Sequence, residues 1–304
     1  MALTYTQELS LIEEELLRYL DPEVRFVLEV SKYIVSAGGK RIRPLLTLLT
    51  CKALGGDERK VLPLAVGIEY VHVASLLHDD VVDGAQTRRG KKSANLVFGD
   101  KACVLTGDYM YAKALSLYSE YGSLESIKVL SDAVMKMSQG QVLELLNIKK
   151  LINEETYFKL IDYKTGALFG ACLAVGALCA GRQDHWEFYQ VGIKLGRAFQ
   201  LIDDALDYIG DEKRLGKPAG NDLTEGKCTY PLISVMDRLS EEGLNLFHRG
   251  FSEELRRLVI ELGGVEKTKE RARQELKEVI DFFDKLDCDR ALRELLLSVV
   301  ERDA

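Results

Sequence analysis

Two aspartate clusters with the same spacing are the residues of this sequence best suited to chemistry. Residues 79–83 read DDVVD and residues 203–207 read DDALD, so each fits the pattern D-D-x-x-D. In a helix the first and last aspartates of this pattern lie on one face, where like charges oppose helix formation unless a cation neutralises them. Oxygen ligands select hard cations such as Mg²⁺ or Mn²⁺, which commonly share their coordination sphere with phosphate oxygens. The clusters therefore predict metal-assisted chemistry on a phosphate-bearing substrate.

A solvated acidic surface is the alternative explanation of each cluster. The residues around the clusters argue against it because they are apolar: Leu76, Leu77, Val81 and Val82 in the first, and Leu201, Ile202, Ala205 and Leu206 in the second. Buried carboxylates are costly unless metal ions or paired cations compensate them. The sequence thus favours two largely buried helices that each carry a cation-binding motif.

Basic side chains lie where a diphosphate site needs them. They are Lys40 and Arg43 in a Gly-Gly turn, Arg88 and Arg89 after the first cluster, Lys164 beside Thr165 in YKTG, and Lys217 after the second cluster. Arginine binds phosphate in a bidentate way, whereas lysine acts as a mobile point charge. The run RRGKK at 88–92 has a second interpretation as a solvated loop or a nuclear-import patch, but its position just past Gly84 favours a phosphate clamp.

The elements that must position these residues are predicted to be helices. Only five prolines occur, and none lies between Pro63 and Pro218. Because proline disrupts helices and is placed in turns and edge strands, a gap of that length suits successive helices. Apolar residues also recur at helical spacing, and strand-like alternation is absent over any useful length. Without a linker or an internal repeat, we expect an all-α fold in one domain over residues 1–304.

The composition of the chain argues against one class of partner and favours one cellular compartment. The chain has 304 residues, with 41 basic and 48 acidic side chains and a net charge of −7, which argues against a general nucleic-acid binder. Its six cysteines form no C-x-x-C pair, as expected in a reducing compartment, so we predict a cytoplasmic protein. The acidic, amphipathic N-terminus does not resemble a signal peptide, and the apolar stretch at 167–181 is too short to span a bilayer. We expect that stretch to be a buried, closely packed helix.

The motifs together amount to a family resemblance. In order, GGKRIRP, LLHDDVVDGAQTRRG, YKTG, FQLIDDALDYIGD and LGKPAGND closely resemble the trans-isoprenyl diphosphate synthases over nearly the whole chain. This resemblance implies a single large helical bundle of the isoprenoid synthase type, with a central cavity, and a homodimer. Class I terpene cyclases share the fold, but they usually carry a different second metal motif and lack the GGKR turn.

The resemblance also implies roles for individual residues. About three Mg²⁺ ions, or Mn²⁺, would bridge an allylic diphosphate to six metal ligands, namely Asp79, Asp80, Asp83, Asp203, Asp204 and Asp207. The allylic diphosphate would contact Arg88, Lys164 and Lys217, with Thr165 and Gln200 nearby, and isopentenyl diphosphate would contact Lys40, Arg43, His72 and Arg89. The groups expected to act in catalysis are Asp79, Asp80, Asp83, Lys164, Asp203 and Lys217. For His72, the alternative is an ordinary core histidine.

The implied reaction needs no side-chain nucleophile. The metals and bases stabilise the departing diphosphate, the double bond of isopentenyl diphosphate attacks the allylic cation, and a proton is lost to the released diphosphate. The sequence agrees, because it contains neither G-x-S-x-G nor H-E-x-x-H. The apolar product makes transient membrane contact plausible, without a stable anchor.

Product length is predicted from the helix before the first motif. Ala74 and Ser75 lie one turn before Asp79, so the cavity wall carries small side chains there. We therefore expect a deep tunnel and an all-trans product of about C30 to C45, with octaprenyl as the central value. The floor would lie at Val71 or Tyr70 and at Leu130 or Val134 on a facing helix. Simple helix packing is the other explanation of the small residues, and the alternative functions are a farnesyl or geranylgeranyl diphosphate synthase and a non-catalytic prenyl-diphosphate-binding subunit.

Overall fold

The all-α prediction is confirmed by the computed structural model, in which 79% of the residues are helical. The structure describes residues 4–209, 219–250, 252–286, 288 and 290–300. The helices of the N-terminal part are α1 (Thr6–Arg18), α2 (Arg25–Val35), α3 (Ile42–Ala53), α4 (Glu58–Val82), α5 (Ala94–Phe98), α6 (Asp100–Tyr121) and α7 (Leu124–Asn147). Within the described residues, the strands are the two-residue β1 (Thr87–Arg88) and β2 (Lys91–Lys92), which pair antiparallel.

The C-terminal part continues with α8 (Glu154–Ile161), a π-helical turn (Asp162–Gly166), α9 (Ala167–Cys179) and α10 (His185–Ile209). After these come two one-turn helices, α11 (Asn221–Thr224) and α12 (Tyr230–Ile233), and a 3₁₀ turn (Met236–Arg238). The last elements are α13 (Glu241–Arg249), α14 (Ser252–Glu261), α15 (Gly264–Asp284) and α16 (Arg290–Val300).

The chain divides into two compact units, each assembled from separate stretches of sequence. The first comprises residues 1–132, 171–189 and 288–294, and the second comprises residues 133–170, 190–287 and 295–304. Within the first unit, the hydroxyl of Thr4 donates a hydrogen bond to Glu294, so residues from both extremes of the chain meet there. The expectation of one domain over 1–304 stays a prediction.

In the first unit, the packing of α4 against α6 positions the first aspartate motif. Asp57 caps α4, because its carboxylate accepts a hydrogen bond of 2.9 Å from the backbone N–H of Arg59. Residues 61–71 of α4 are all buried, as in a helix that is apolar on every side. Gly67 allows close approach to α6, since a Cβ there would lie 2.9 Å from the ring of Tyr118. The end of α4 that carries Asp79 is thereby held on a rigid element.

In the second unit, glycines bring the segment around α9 close to α10. A Cβ on Gly196 would lie 2.6 Å from the Cα of Gly166, and one on Gly192 would lie 2.5 Å from the carbonyl oxygen of Phe169. The buried helix expected at 167–181 is present as α9, and its residues 167–177 are all buried. The small residues that the sequence placed there are thus used for close helix contact.

Two helical stretches pass a length and composition test for membrane spans. They are Glu58–Val82 and Glu154–Cys179, in which 78% of the apolar window is buried inside the protein. The second is longer than the apolar stretch recognised in the sequence because the helix already begins at Glu154. Burial of this extent is also what the core helix of a globular protein shows.

Candidate active site

The first aspartate motif lies at the C-terminal end of α4. Asp79 and Asp80 belong to its last turn, and Asp83 is the C-cap residue. Asp80 is buried, Asp79 is half-buried and Asp83 is exposed. A helix C-terminus carries a partial negative charge, which adds to the repulsion between the carboxylates. This end of α4 therefore requires nearby cations.

One of these cations is Arg88, on the short hairpin that follows the motif. Its Nε and Nη2 donate hydrogen bonds of 2.9 and 2.5 Å to Oδ1 of Asp80. The other carboxylate oxygen of Asp80, Oδ2, is buried and has no hydrogen-bond partner. A buried oxygen without a donor is costly, and a divalent cation would satisfy it. The first motif thus fits a metal site.

The carboxylates do not form a complete metal cage by themselves. Among the residues that the structure describes, no group of three or more His, Cys, Asp or Glu side chains is arranged to hold a metal ion. Mg²⁺ commonly binds one or two carboxylates and completes its shell with water and substrate phosphates. The donor set therefore fits a cation that arrives with a diphosphate.

A cluster of basic residues in the first unit contains the groups predicted for isopentenyl diphosphate. The guanidinium of Arg89 lies against the Gly-Gly turn, where a Cβ on Gly39 would be 2.9 Å from its Nη1. Burial and the nearby charges of Arg43 and Arg89 lower the pKa of His72 well below its usual value, so its imidazole is neutral at pH 7. Lys40 is exposed at the same turn. The structure thus brings these predicted residues into one basic region, and their binding of a diphosphate stays a prediction.

The second aspartate motif lies in the last two turns of α10. Its second aspartate, Asp204, is buried and accepts two hydrogen bonds, one of 2.8 Å from Nε2 of Gln200 and one of 2.6 Å from the hydroxyl of Tyr157. Burial and the charges of Asp203 and Asp207 together raise the pKa of Asp204 to about 7, although these two hydrogen bonds act to lower it. The neighbouring carboxylates of the motif thus disfavour the charged form of Asp204.

Lys164 and Thr165 lie in the π-helical turn between α8 and α9. Such turns are rare and often occur at functional sites. The turn is fixed at its start by Arg197, whose Nε and Nη2 donate hydrogen bonds of 2.5 and 2.7 Å to Asp162. The hydroxyl of Thr165 donates a hydrogen bond of 3.0 Å to Gln200, which in turn bonds to Asp204. A continuous hydrogen-bond chain thus joins YKTG to the second motif.

A cavity of about 130 Å³ opens beside this chain in the second unit. Lys164 donates a hydrogen bond of 2.5 Å to Glu144 in its wall, and Lys227 lies 3.9 Å from the same carboxylate and 2.6 Å from Glu225. Burial acts to lower the pKa of Lys227, but the charges of Glu144 and Glu225 outweigh it and raise that pKa. Two lysines therefore converge on one carboxylate.

Sequence reasoning missed two members of this cavity. Lys227 follows the second motif in the triplet EGK, which by itself does not distinguish it from an ordinary surface lysine. Glu144 could not be recognised from the sequence, because it lies on α7 outside any of the motifs. Lys217, predicted for the allylic diphosphate, lies outside the described residues.

The predicted chain-length residues Val71, Ala74, Ser75 and Leu130 lie in the first unit, and Val134 lies in the second. Ala74 and Val71 are fully buried on the face of α4 that also carries Gly67 and His78, both of which contact α6. Ser75 is half-buried and its hydroxyl bonds to the carbonyl oxygen of His72. Leu130 is buried in α7 and Val134 is half-buried. Their contact with a product stays a prediction.

Comparison with known proteins identifies the family. The sequence profile of the polyprenyl synthetase family matches residues 24–257. The chain belongs to the polyprenyl synthetase family. An octaprenyl diphosphate synthase of Escherichia coli is 37% identical over 312 residues, covering 98% of this chain and 96% of that relative. A short chain isoprenyl diphosphate synthase of Methanocaldococcus jannaschii is 37% identical over 240 residues, covering 77% and 73% respectively.

Solved structures of polyprenyl synthetases agree with this assignment. A polyprenyl synthase of Caulobacter crescentus in complex with calcium and isoprenyl diphosphate superposes with a TM-score of 0.91 at 33% identity, covering 99% of this chain and 96% of that one. The family resemblance, the isoprenoid synthase type of helical fold and the activity as a prenyltransferase are thereby confirmed. Membership in the polyprenyl synthetases implies dependence on divalent metal and the use of isopentenyl and allylic diphosphates as substrates.

Proposed function

We propose that this polyprenyl synthetase makes a long all-trans polyprenyl diphosphate by adding isopentenyl diphosphate head-to-tail to an allylic diphosphate. The observation that carries the proposal is the cavity in which Lys164 and Lys227 converge on Glu144, at the end of the hydrogen-bond chain from Asp204. Lysines beside a carboxylate-rich motif suit a substrate that is itself a metal-bound diphosphate.

Mg²⁺ is the cation that we propose for the aspartate motifs, with about three ions for each active site and Mn²⁺ as a substitute. Its ligands would come from Asp79, Asp80, Asp83, Asp203, Asp204 and Asp207. When bound, the ions neutralise the charge that develops on the leaving diphosphate. The partnerless Oδ2 of Asp80 supports this assignment, and each oxygen of Asp204 keeps a lone pair beyond its single hydrogen bond.

The side chains of this protein hold both substrates through their diphosphates. Lys164, Lys217, Lys227 and Arg88 would bind the allylic diphosphate, and Lys40, Arg43, Arg89 and His72 would bind isopentenyl diphosphate. The allylic C–O bond breaks, its electron pair leaves with diphosphate, and the double bond of isopentenyl diphosphate forms the new C–C bond. Loss of a proton to the released diphosphate restores a double bond. The protein contributes preorganised positive charge and no covalent intermediate.

A long product is supported by the small side chains of Ala74 and Ser75 and by the similarity to the octaprenyl diphosphate synthase. We propose about C30 to C45, with octaprenyl as the central value, because a larger side chain one turn before the motif would block the growing chain. The short-chain alternative has its own support in the Methanocaldococcus relative. A non-catalytic subunit is disfavoured because every aspartate of both motifs is present.

A homodimer in the cytoplasm completes the proposal. Apolar side chains are exposed along α7, namely Met135, Val142, Leu145 and Leu146, and such a stripe is typical of a protein interface. All six cysteines are free thiols, as expected in a reducing compartment. Light scattering on the purified protein would measure the oligomeric state, and a monomer at micromolar concentration would contradict the dimer.

One incubation tests the function. The protein is mixed with labelled isopentenyl diphosphate, farnesyl diphosphate and Mg²⁺, and the products are separated by chain length. We expect a series that ends between about C30 and C45. Products that stop at the geranylgeranyl length, or at the farnesyl length when dimethylallyl diphosphate replaces farnesyl diphosphate as the primer, would support the short-chain alternative. Absence of any product with either primer, with isopentenyl diphosphate and metal present, would support a non-catalytic subunit.

A further inference from the structure

Arg41 occupies an unusual position between the two predicted anion-binding residues of the Gly-Gly turn. It is the N-cap residue of α3, it is 3% exposed, and its φ of 47° lies in the left-handed region that non-glycine residues rarely adopt. Backbone strain of this kind persists only where the surroundings hold it in place, and it is concentrated at functional sites. The contacts of the Arg41 side chain show what holds it.

The guanidinium of Arg41 contacts three different elements. Its Nη1 donates a hydrogen bond of 3.0 Å to Oε1 of Glu69 on α4, and its Nη2 donates one of 2.6 Å to the carbonyl oxygen of Val35 at the end of α2. Its Nε donates a hydrogen bond of 2.7 Å to Glu13 on α1. The turn that carries Lys40 and Arg43 is therefore fastened from inside the protein, through a side chain that points away from solvent.

Glu69 is the acidic partner in this arrangement and is 2% exposed. Burial raises its pKa, whereas the charges of Arg41, Arg43 and Arg89 lower it, so three guanidinium groups lie within electrostatic reach of one carboxylate. A buried ion pair contributes little net stability compared with apolar residues of similar size, so stability alone does not account for it. A role in fixing the positions of the neighbouring basic side chains does account for this buried ion pair.

We propose that Arg41 and Glu69 form a positioning pair that fixes the Gly-Gly turn in the shape that presents Lys40 and Arg43 to the diphosphate of isopentenyl diphosphate. The identity of this ligand, isopentenyl diphosphate, rests on the proposed function. Arg41 and Glu69 act through their neighbours and do not touch the substrate themselves. A lysine at position 41 cannot reproduce the planar fork that reaches three acceptors.

The test compares four variants with the wild type. Arg41→Asn keeps a residue that tolerates the left-handed conformation but removes the fork, and Arg41→Lys keeps the charge. The double variant Arg41→Met/Glu69→Gln removes both charges, so that neither is left buried alone. The control is Arg25→Asn, which removes an arginine whose side chain is 91% exposed and which also pairs with a glutamate.

We expect the KM for isopentenyl diphosphate to rise about tenfold in both single variants and in the double variant, with kcat and the KM for the allylic substrate within about threefold of wild type. The double variant should recover the melting temperature lost in Arg41→Asn without recovering this KM. Arg25→Asn should match wild type in every measurement. Recovery of the KM together with the melting temperature would mean that the pair is purely structural and would overturn the proposal, as would an unchanged KM in Arg41→Asn.

A binding measurement separates this inference from the proposed function. Isothermal titration of isopentenyl diphosphate into the protein in EDTA needs no turnover, and we expect the Kd to rise about tenfold in Arg41→Asn and Arg41→Lys. If the wild type binds isopentenyl diphosphate but makes no product, the proposed function fails while the positioning pair is still tested. An equal Kd for wild type and both variants would overturn the positioning role.

Discussion

Arg88 on the hairpin is bound to Asp80 on α4, with both hydrogen bonds on the single oxygen Oδ1. The base proposed for the allylic diphosphate and the carboxylate proposed for its metal thus neutralise each other before substrate arrives. A metal-bound diphosphate would bring a cation for Asp80 and an anion for Arg88. Both groups would therefore keep a partner when the substrate binds. This ion pair explains how a buried aspartate is tolerated at a helix C-terminus.

Loss of Asp79 tests whether the first motif acts in catalysis. We expect Asp79→Ala to lower turnover by at least about 100-fold, the effect of removing one electrostatic stabiliser of a transition state. Steady-state rates at saturating Mg²⁺ would measure it. The control is Asp281→Ala, which removes an exposed carboxylate from α15 and should leave the rate unchanged. Near-normal activity of Asp79→Ala would show that the cluster is structural.

Removal of divalent metal should abolish product formation while leaving the fold intact. The aspartate motifs supply oxygen ligands without a complete cage, so binding depends on metal and diphosphate together. Product formation in excess EDTA and after addition of Mg²⁺ would be compared, with circular dichroism as the control for folding. Persistent turnover in EDTA would contradict the proposed role of both motifs.

Lys227 is expected to act on the allylic substrate alone. Lys227→Met removes one of the two cations that face Glu144, so we expect kcat/KM for the allylic diphosphate to fall by about 10- to 100-fold. The KM for isopentenyl diphosphate should stay within about twofold of wild type, since that site lies with other bases. Lys150→Met, which changes an exposed lysine of the same unit, is the matched control. Equal effects on both substrates would argue for a general loss of structure.

Product length should respond to the size of the side chains before the first motif. We expect Ala74→Tyr to shorten the product to about the farnesyl or geranylgeranyl class while short primers still turn over, because the ring would lie one turn below the metal. Ala74 is fully buried, so the same change at half-buried Ser75 provides a variant with less overpacking. Chromatography of the products decides, and an unchanged length in both variants would exclude the tunnel.

Gly140 on α7 is predicted to be required for the close approach of the π-helical turn to this helix. A Cβ at Gly140 would lie 2.5 Å from the backbone nitrogen of Lys164, so Gly140→Ala must displace backbone. We expect a destabilisation of about 1 to 3 kcal/mol together with a raised KM for the allylic diphosphate. Gly243→Ala is the control, because its Cβ would meet its nearest neighbour at an ordinary 3.4 Å. A stable and fully active Gly140→Ala protein would show that the turn tolerates movement.

Local patterns made part of this site predictable. Asp80 and Arg88 are only eight residues apart, so the acidic cluster and the base that follows it could be linked from the sequence. The family motifs supplied Thr165 and Gln200, which the structure joins by a hydrogen bond although they are 35 residues apart. The buried helix at 167–181 was recognisable because small and apolar residues fill it without a charge.

Other parts depend on packing that no local pattern encodes. Residues 162–166 read DYKTG and contain no helix-breaking proline, so periodicity suggests an ordinary turn of α-helix there. The π-helical geometry accompanies close contact with Gly140 and anchoring by Arg197, both distant in sequence. Glu144 was missed for the same reason, since its importance comes only from Lys164 and Lys227, which are distant in sequence.

The hydrogen bond between Thr4 and Glu294 has a consequence for folding during synthesis on the ribosome. The first compact unit needs residues 288–294, which leave the ribosome after almost all of the second unit has been synthesised. Domains usually fold in order from the N-terminus during synthesis. Here the earlier-made half must wait for the last helix before its contacts are complete. A chain stopped before Arg290 would therefore lose contacts in the half that carries the Gly-Gly turn, far from the break in sequence.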